Sequence, residues 1–234
     1  MSTTIPKRGS TGAWLVPIGL ILLALIPIVS GSLRLTQLGG GPEIIPEAPR
    51  FTTFPVPVVL HIVSAVVFSV VGAFQFVPTL RRGRSSWHKL AGRVLIPAGV
   101  IVALSGLWMA AFSQLPAGDG PALLWLRLIF GTAMLLSIAL AVRAIVRRKF
   151  AVHGAWMTRA YAIAVAAGTQ AIFLIPAGVA FGSTHETARA VAMGAAWVAN
   201  LAVAEVVIRR RARRTSAGRP QASFRAASAP VGSA

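Results

Sequence analysis

Long apolar stretches alternate with short polar or basic segments along the whole chain. A membrane-spanning helix needs about 20 mostly apolar residues. Cutting the chain at its charges leaves six such stretches: about Ala13 to Leu33, Pro57 to Leu80, Arg93 to Phe112, Ala122 to Val142, Arg159 to Phe181 and His185 to Ile208. The pattern predicts an all-α polytopic membrane protein, a six-transmembrane-helix bundle. Turn chemistry supports the cuts. Gly39-Gly40-Gly41-Pro42 breaks the chain after the first span, and Pro116 to Pro121 joins the third to the fourth. Pro57 suits a first helical turn, where its missing N–H is not needed. Ser183 with Glu186 reads as a capping box for the sixth span, and Ser85 could cap the third in the same way.

The basic residues orient this bundle. All but four of the 23 Lys and Arg residues fall in four segments: before the first span, between the second and third, between the fourth and fifth, and after the sixth. The exceptions are Arg34, Arg50, Arg127 and Arg189, on the side that also carries four of the five acids. By the positive-inside rule both termini are cytoplasmic, N-in and C-in, and the host is a cell inner membrane. The expected domains are a cytoplasmic N-terminus (1–12), the transmembrane domain (13–208) and an Arg-rich disordered tail (209–234) whose charges meet anionic lipid. Cleavage of the first span as a signal peptide is the alternative for that segment.

Composition agrees. Charged residues are 12% of the chain, against roughly 25% in soluble domains. The formal net charge of +18 would suggest nucleic acid in a soluble protein. Here its placement is topological, so lipid is the expected partner and nucleic acid is not. Without cysteine, disulfides, thiol chemistry and Cys-ligated metals are excluded.

Ionisable residues in spans are costly and default to functional hypotheses. The topology sorts four histidines into two layers. His61 and His185 lie toward the outer side, His88 and His153 at the cytoplasmic starts of the third and fifth spans. Two imidazoles on facing helices can hold a haem iron or begin a zinc site. Around the inner pair lie Gln75, Arg93, Trp156, Arg159, Asn200 and Glu205. Glu205 is the one acid on that side and is expected to pair with Arg93, Arg159 or a histidine. Arg127 lies about a turn inside the fourth span, placed to snorkel or to meet a carboxylate such as a haem propionate. At mid-depth the main polar groups are Ser105, Thr169 and Gln170. Pro97 and Pro176 are expected near helix ends. One weak repeat is visible. His61 precedes Arg81 by the same 20 positions as Arg127 precedes Arg147, and each basic pair leads on to a histidine and an arginine. Basic cytoplasmic loops alone account for that likeness, and that reading is preferred.

Four segments carry a resemblance: His61 with Gly72-Ala73-Phe74-Gln75-Phe76, Trp87-His88-Lys89-Leu90-Ala91-Gly92-Arg93, His153 to Tyr161, and Trp197 to Asn200 with Ala204-Glu205. Over about residues 55–208 the chain resembles a family of predicted bacterial membrane proteins, domain of unknown function 2306. It departs by Lys89 for arginine and Ala160 for serine. The resemblance places the family's histidines on His61, His88 and His153 and its carboxylate on Glu205, leaves His185 without a counterpart, and implies a multi-pass membrane protein of no assigned activity. Three readings follow. In the first, His88 and His153, with His61 as a further candidate, bind haem b or a metal, supported by Arg93, Arg159 and Glu205. In the second, a small-solute or proton transporter runs past His61, Gln170 and Glu205. In the third, the histidines of an accessory membrane protein only hold the bundle together.

Overall fold

A computed structural model describes residues 14–45, 49–77, 80 and 86–217. They form six long helices: α1 (Leu15–Leu38), α2 (Val56–Phe74), α3 (Ser86–Phe112), α4 (Pro121–Val146), α5 (Phe150–Phe181) and α6 (Glu186–Ala217). One helical turn, Pro49–Thr52, lies between α1 and α2. Among the described residues there is no strand, and all six helices are long and apolar enough to cross a membrane. The predicted all-α, six-span architecture is the observed one. An even number of crossings brings the start of α1 and the end of α6 to one end of the bundle, with the end of α2, the start of α3 and the α4–α5 connection. That is the terminal end, and the other is the distal end.

Helix boundaries depart from the apolar runs where polar residues continue a helix or a turn interrupts one. α2 stops at Phe74 rather than Leu80, and Gln75 and Phe76 turn. Pro78 disfavours a helical residue before it. α3 starts at Ser86 and α5 at Phe150, so the motifs around His88 and His153 are helical, with cationic side chains long enough to reach the interface. α6 continues to Ala217. Arg209 to Arg214 therefore extend a helix instead of opening a disordered tail, a correction to the expected boundary at 209. Ser85, Arg81, Arg82, Arg84, the segment 1–12 and the tail from 218 lie outside the described residues. Pro97 falls inside α3 and Pro176 inside α5, with Pro27 inside α1. The expectation that Pro97 marks a helix end is corrected because α3 begins earlier than the apolar run.

The packing order is a four-helix ring, α2-α3-α4-α5, closed by contact between α2 and α5. α1 lies against α2 and α5, and α6 against α5 and α4, so α5 is the central helix. Phe68, Leu95, Met134, Ile138 and Tyr161 are buried at the centre. Tyr161 ties α5 to α2: its hydroxyl donates to the Ser69 carbonyl at 2.7 Å, and its ring fills the space beside Gly72, where a Cβ would come within 2.4 Å of it. α1 is held differently. Pro27 has no N–H to bond the Leu23 carbonyl, and that oxygen turns to α5 at Gly168, where a Cβ would sit 1.9 Å from it. Small residues permit such close backbone approach between membrane helices. Trp14, Trp87, Trp108 and Trp125 are exposed, as an interfacial belt requires. Trp197 is buried and stacks on Phe130 at 4.7 Å.

The weak sequence repeat has a structural counterpart. His88 Nδ1 hydrogen-bonds the Gln75 side chain at the end of α2, and His153 Nδ1 donates to the Ala141 carbonyl near the end of α4 at 3.0 Å. Each histidine thus ties its helix back to the preceding one at a matching position. The buried residues Phe68, Gly72 and Leu95 lie at one common spacing from the buried Met134, Ile138 and Tyr161. Basic loops alone do not produce that match.

Candidate functional site

All six helices contribute to one cavity of about 380 Å³. Ala24 and Pro27 come from α1, His61 and Ala65 from α2, Ala103 and Gly106 from α3, Arg127 and Met134 from α4, Ala164 and Gln170 from α5, and Met193 and Trp197 from α6. It runs from the middle of the bundle toward the distal end, where Ser113 to Pro116 of the α3–α4 connection line it. Its size falls in the range of small-molecule sites, roughly 300–1,000 Å³, and its walls are mainly apolar with a few polar groups, as such sites are.

Three polar groups define its chemistry. His61, in the second turn of α2, places Nδ1 at 3.1 Å from the Val102 carbonyl and 3.1 Å from Ser105 Oγ. Ser105 Oγ itself donates to the Ile101 carbonyl at 2.5 Å. A carbonyl can only accept, so Nδ1 carries the proton, and Nε2 of the neutral ring is an acceptor. Gln170 is buried on α5, and its Nε2 has no hydrogen-bond partner among the described residues. The polar groups beside it are satisfied: Thr169 donates to Asn200 Oδ1 at 2.9 Å, and Asn200 Nδ2 donates to the Ala162 carbonyl at 3.2 Å. An unpaired buried donor costs about 1–3 kcal/mol, so Gln170 stands out against well-paired surroundings.

Arg127 is the third group, and the chain itself supplies its carboxylate. Nη2 lies 2.5 Å from Asp119 Oδ2, and Asp119 is wholly buried. The other Asp119 oxygen accepts from Arg189 Nη2 at 2.7 Å and Nε at 3.1 Å. The Glu186 carboxylate lies against the neighbouring Gly120. Two arginines and two carboxylates therefore meet at the distal rim with no net charge. Of the two readings of Arg127, snorkelling or meeting a carboxylate, the structure has the second, and the carboxylate is Asp119 of the chain itself. Asp119 was not legible as a site residue, although it is one of only five acids and lies near an arginine set inside a span.

The terminal-end cluster is built differently. Arg159 grips Glu205 through Nε at 2.5 Å and Nη2 at 3.0 Å, so the expected pairing of Glu205 is found with Arg159. The same guanidinium lies 4.5 Å from the Trp156 ring centroid. Arg93 is exposed about two turns into α3. His88 and His153 lie on α3 and α5, diagonal helices of the ring, and each turns Nδ1 to the helix before it instead of toward the other. Neither lines the cavity. No group of three or more His, Asp or Glu side chains placed to hold a metal occurs among the described residues. This arrangement does not support haem or metal binding at His88 and His153, because the ligands do not converge on a shared space. His185 does not join His61 either. It caps α6, Nδ1 accepting from the Ala188 N–H at 3.3 Å, with its ring beside Phe181. The cap expected from Ser183 is thus made by His185.

A family model described as a predicted membrane protein matches residues 58–208, which span α2 to most of α6 and contain the motif segments around His61, His88, His153 and Glu205. No curated protein and no solved structure matches the chain.

Proposed function

The chain belongs to that family, the predicted membrane proteins of domain of unknown function 2306, and on this premise we propose that it takes a small molecule into the cavity of its bundle. The single observation that carries this reading is the cavity itself, of small-molecule size and mainly apolar, with His61, Gln170 and Arg127 as polar residues in its wall. His61 and Trp197 in the same wall supply orientation and apolar contact.

The charge asymmetry orients the site. With the basic terminal end at the cytoplasmic face of an inner membrane, its arginines against anionic lipid headgroups, the cavity occupies the outer half of the bilayer and its rim faces outward. Carriage of a solute across the membrane is the transport form of this reading. The presence of His61 and Gln170 in one cavity favours it, and the Arg159–Glu205 pair then closes the opposite end.

The test is native mass spectrometry of protein released from mild detergent, comparing wild type with Ala164→Phe, which grows a ring into the cavity from α5. Wild type is expected to carry a small-molecule adduct that the variant lacks, while the variant remains folded and at least as heat-stable. Identical bare masses for both proteins, with the variant more stable, would show an empty packing defect and refute the proposal.

A further inference from the structure

A molecule that occupies the cavity needs a way in, and the α3–α4 connection stands across the distal end. Ser113, Gln114, Leu115 and Pro116 line the cavity. Gln114 and Leu115 are also exposed, so one short stretch of chain is both inner wall and outer surface. Among the described residues, every hydrogen bond that ties residues 114–119 to a helix converges on the Asp119 carboxylate, from Arg127 of α4 and from Arg189 of α6. The backbone packs closely beside it. Gly118, at φ +79°, lies so near the α5–α6 connection that a Cβ there would come within 2.6 Å of Thr184 Cα. Glycine alone meets both demands, the left-handed turn and the close approach.

Asp119 is wholly buried, yet its partners Arg127 and Arg189 are 26% and 23% exposed. Deleting the carboxylate would strand two cations. Lifting the whole stretch strands none, because water reaches both guanidinium groups and the departing carboxylate gains solvent of its own. Arg127 also belongs to the cavity wall, so the ion pair touches the space that the stretch covers. Resting on the cavity reading above, we propose that residues 113–119 form a strap over the mouth of the cavity and that Asp119 is its latch. The mouth is closed while the carboxylate holds Arg127 and Arg189, and it opens when they part.

The chain has no cysteine, so single introduced thiols report access. Ala103→Cys places one in the cavity wall on α3, and Ala160→Cys places one at a fully buried position of α5 outside that wall. Labelling by N-ethylmaleimide in detergent, counted by intact mass, follows the population of the open form when opening is fast. Asp119→Asn is expected to speed labelling of Ala103→Cys about tenfold and to leave Ala160→Cys unchanged. A covalent lock provides the converse. A Cβ on Gly120 would lie 3.3 Å from Glu186 Cβ, close to the roughly 3.5–4.5 Å that a disulfide spans. Gly120→Cys with Glu186→Cys therefore pins the chain beside Asp119 to the start of α6. With that bridge formed, Ala103→Cys should label at least about fivefold more slowly than in the matched serine pair, and Asp119→Asn should lose its effect.

Unchanged labelling in the locked protein would mean that the reagent arrives by another path, and would overturn the strap. Equal acceleration of both thiols by Asp119→Asn would make Asp119 a brace for the whole bundle and overturn the latch. If that variant does not fold, the lock decides alone. Occupancy is judged separately: a missing adduct in the native mass spectrum overturns the cavity reading and leaves the strap standing, and an adduct with labelling indifferent to the lock does the reverse.

Discussion

Replacing Gly168 with alanine is the sharpest perturbation of the bundle. The added Cβ would lie 1.9 Å from the Leu23 carbonyl oxygen, and Cβ contacts under 3.0 Å are essentially never found. α1 must therefore move by about 1 Å or more at this crossing, since a backbone atom cannot swing aside as a flexible side chain does. Overpacking of this kind costs about 1–3 kcal/mol. Alanine also raises helix propensity by roughly 1 kcal/mol over glycine, so the clean comparison is with Gly154→Ala in the same helix, where a Cβ meets nothing within 4 Å. The propensity gain cancels between the two variants and the clash remains. At roughly 2–4 °C per kcal/mol for a chain of this size, Gly168→Ala should melt about 2–12 °C below Gly154→Ala in detergent. A local probe accompanies the melting curve. The chain has no cysteine, so Ala24→Cys places a single thiol at a buried position of α1. Maleimide should label it slowly on its own and faster when Gly168→Ala is added. Equal melting of the two alanine variants with unchanged labelling would refute the claim that α1 packs backbone-to-backbone on α5.

Asp119→Ala should destabilise by about 3–5 kcal/mol, because it strands two arginines that share one buried carboxylate; thermal melting checks this, and a loss under 1 kcal/mol would show the cluster to be solvated. Gly72→Ala drives a Cβ into the Tyr161 ring and should cost about 1–3 kcal/mol. Tyr161→Phe should cost only the hydrogen bond to Ser69, about 0.5–1.5 kcal/mol. Glu205→Gln should move stability by no more than about 1 kcal/mol, since the Arg159–Glu205 pair is a quarter to a third exposed. A double-mutant cycle with Arg159→Gln reads the coupling directly, and a value above 2 kcal/mol would mean the pair does more than brace α5 against α6.

The spans were legible because lipid contact forces long apolar runs, and no tertiary detail alters that requirement. Their ends were less so. Hydropathy sees the polar first turns of α3 and α5 as loops, whereas lysine, arginine and histidine remain in a helix there and reach the interface or a neighbouring helix. That Glu205 would pair with a cation or a histidine followed from scarcity, one acid among many cations on its side, but only packing selects Arg159 over Arg93 and the histidines. The histidines misled because residue type was read without register. His88 and His153 share a depth but face their preceding helices, and His185 spends its ring on a cap. The cavity was not legible at all. Gln170 was visible as a mid-depth polar group, but only packing shows that Thr169 and Asn200 satisfy each other while Gln170 is left over. Asp119 lies in a short Gly- and Pro-rich connection that reads as an exposed turn. It is buried because Arg189, 70 positions on, folds back over it.

The central claim is that the cavity of the bundle holds a small molecule, and a density map of the chain in a lipid nanodisc tests it most directly. The account predicts non-protein density in the cavity lined by His61, Gln170 and Trp197. A cavity closed by its own side chains, with no such density, would contradict it.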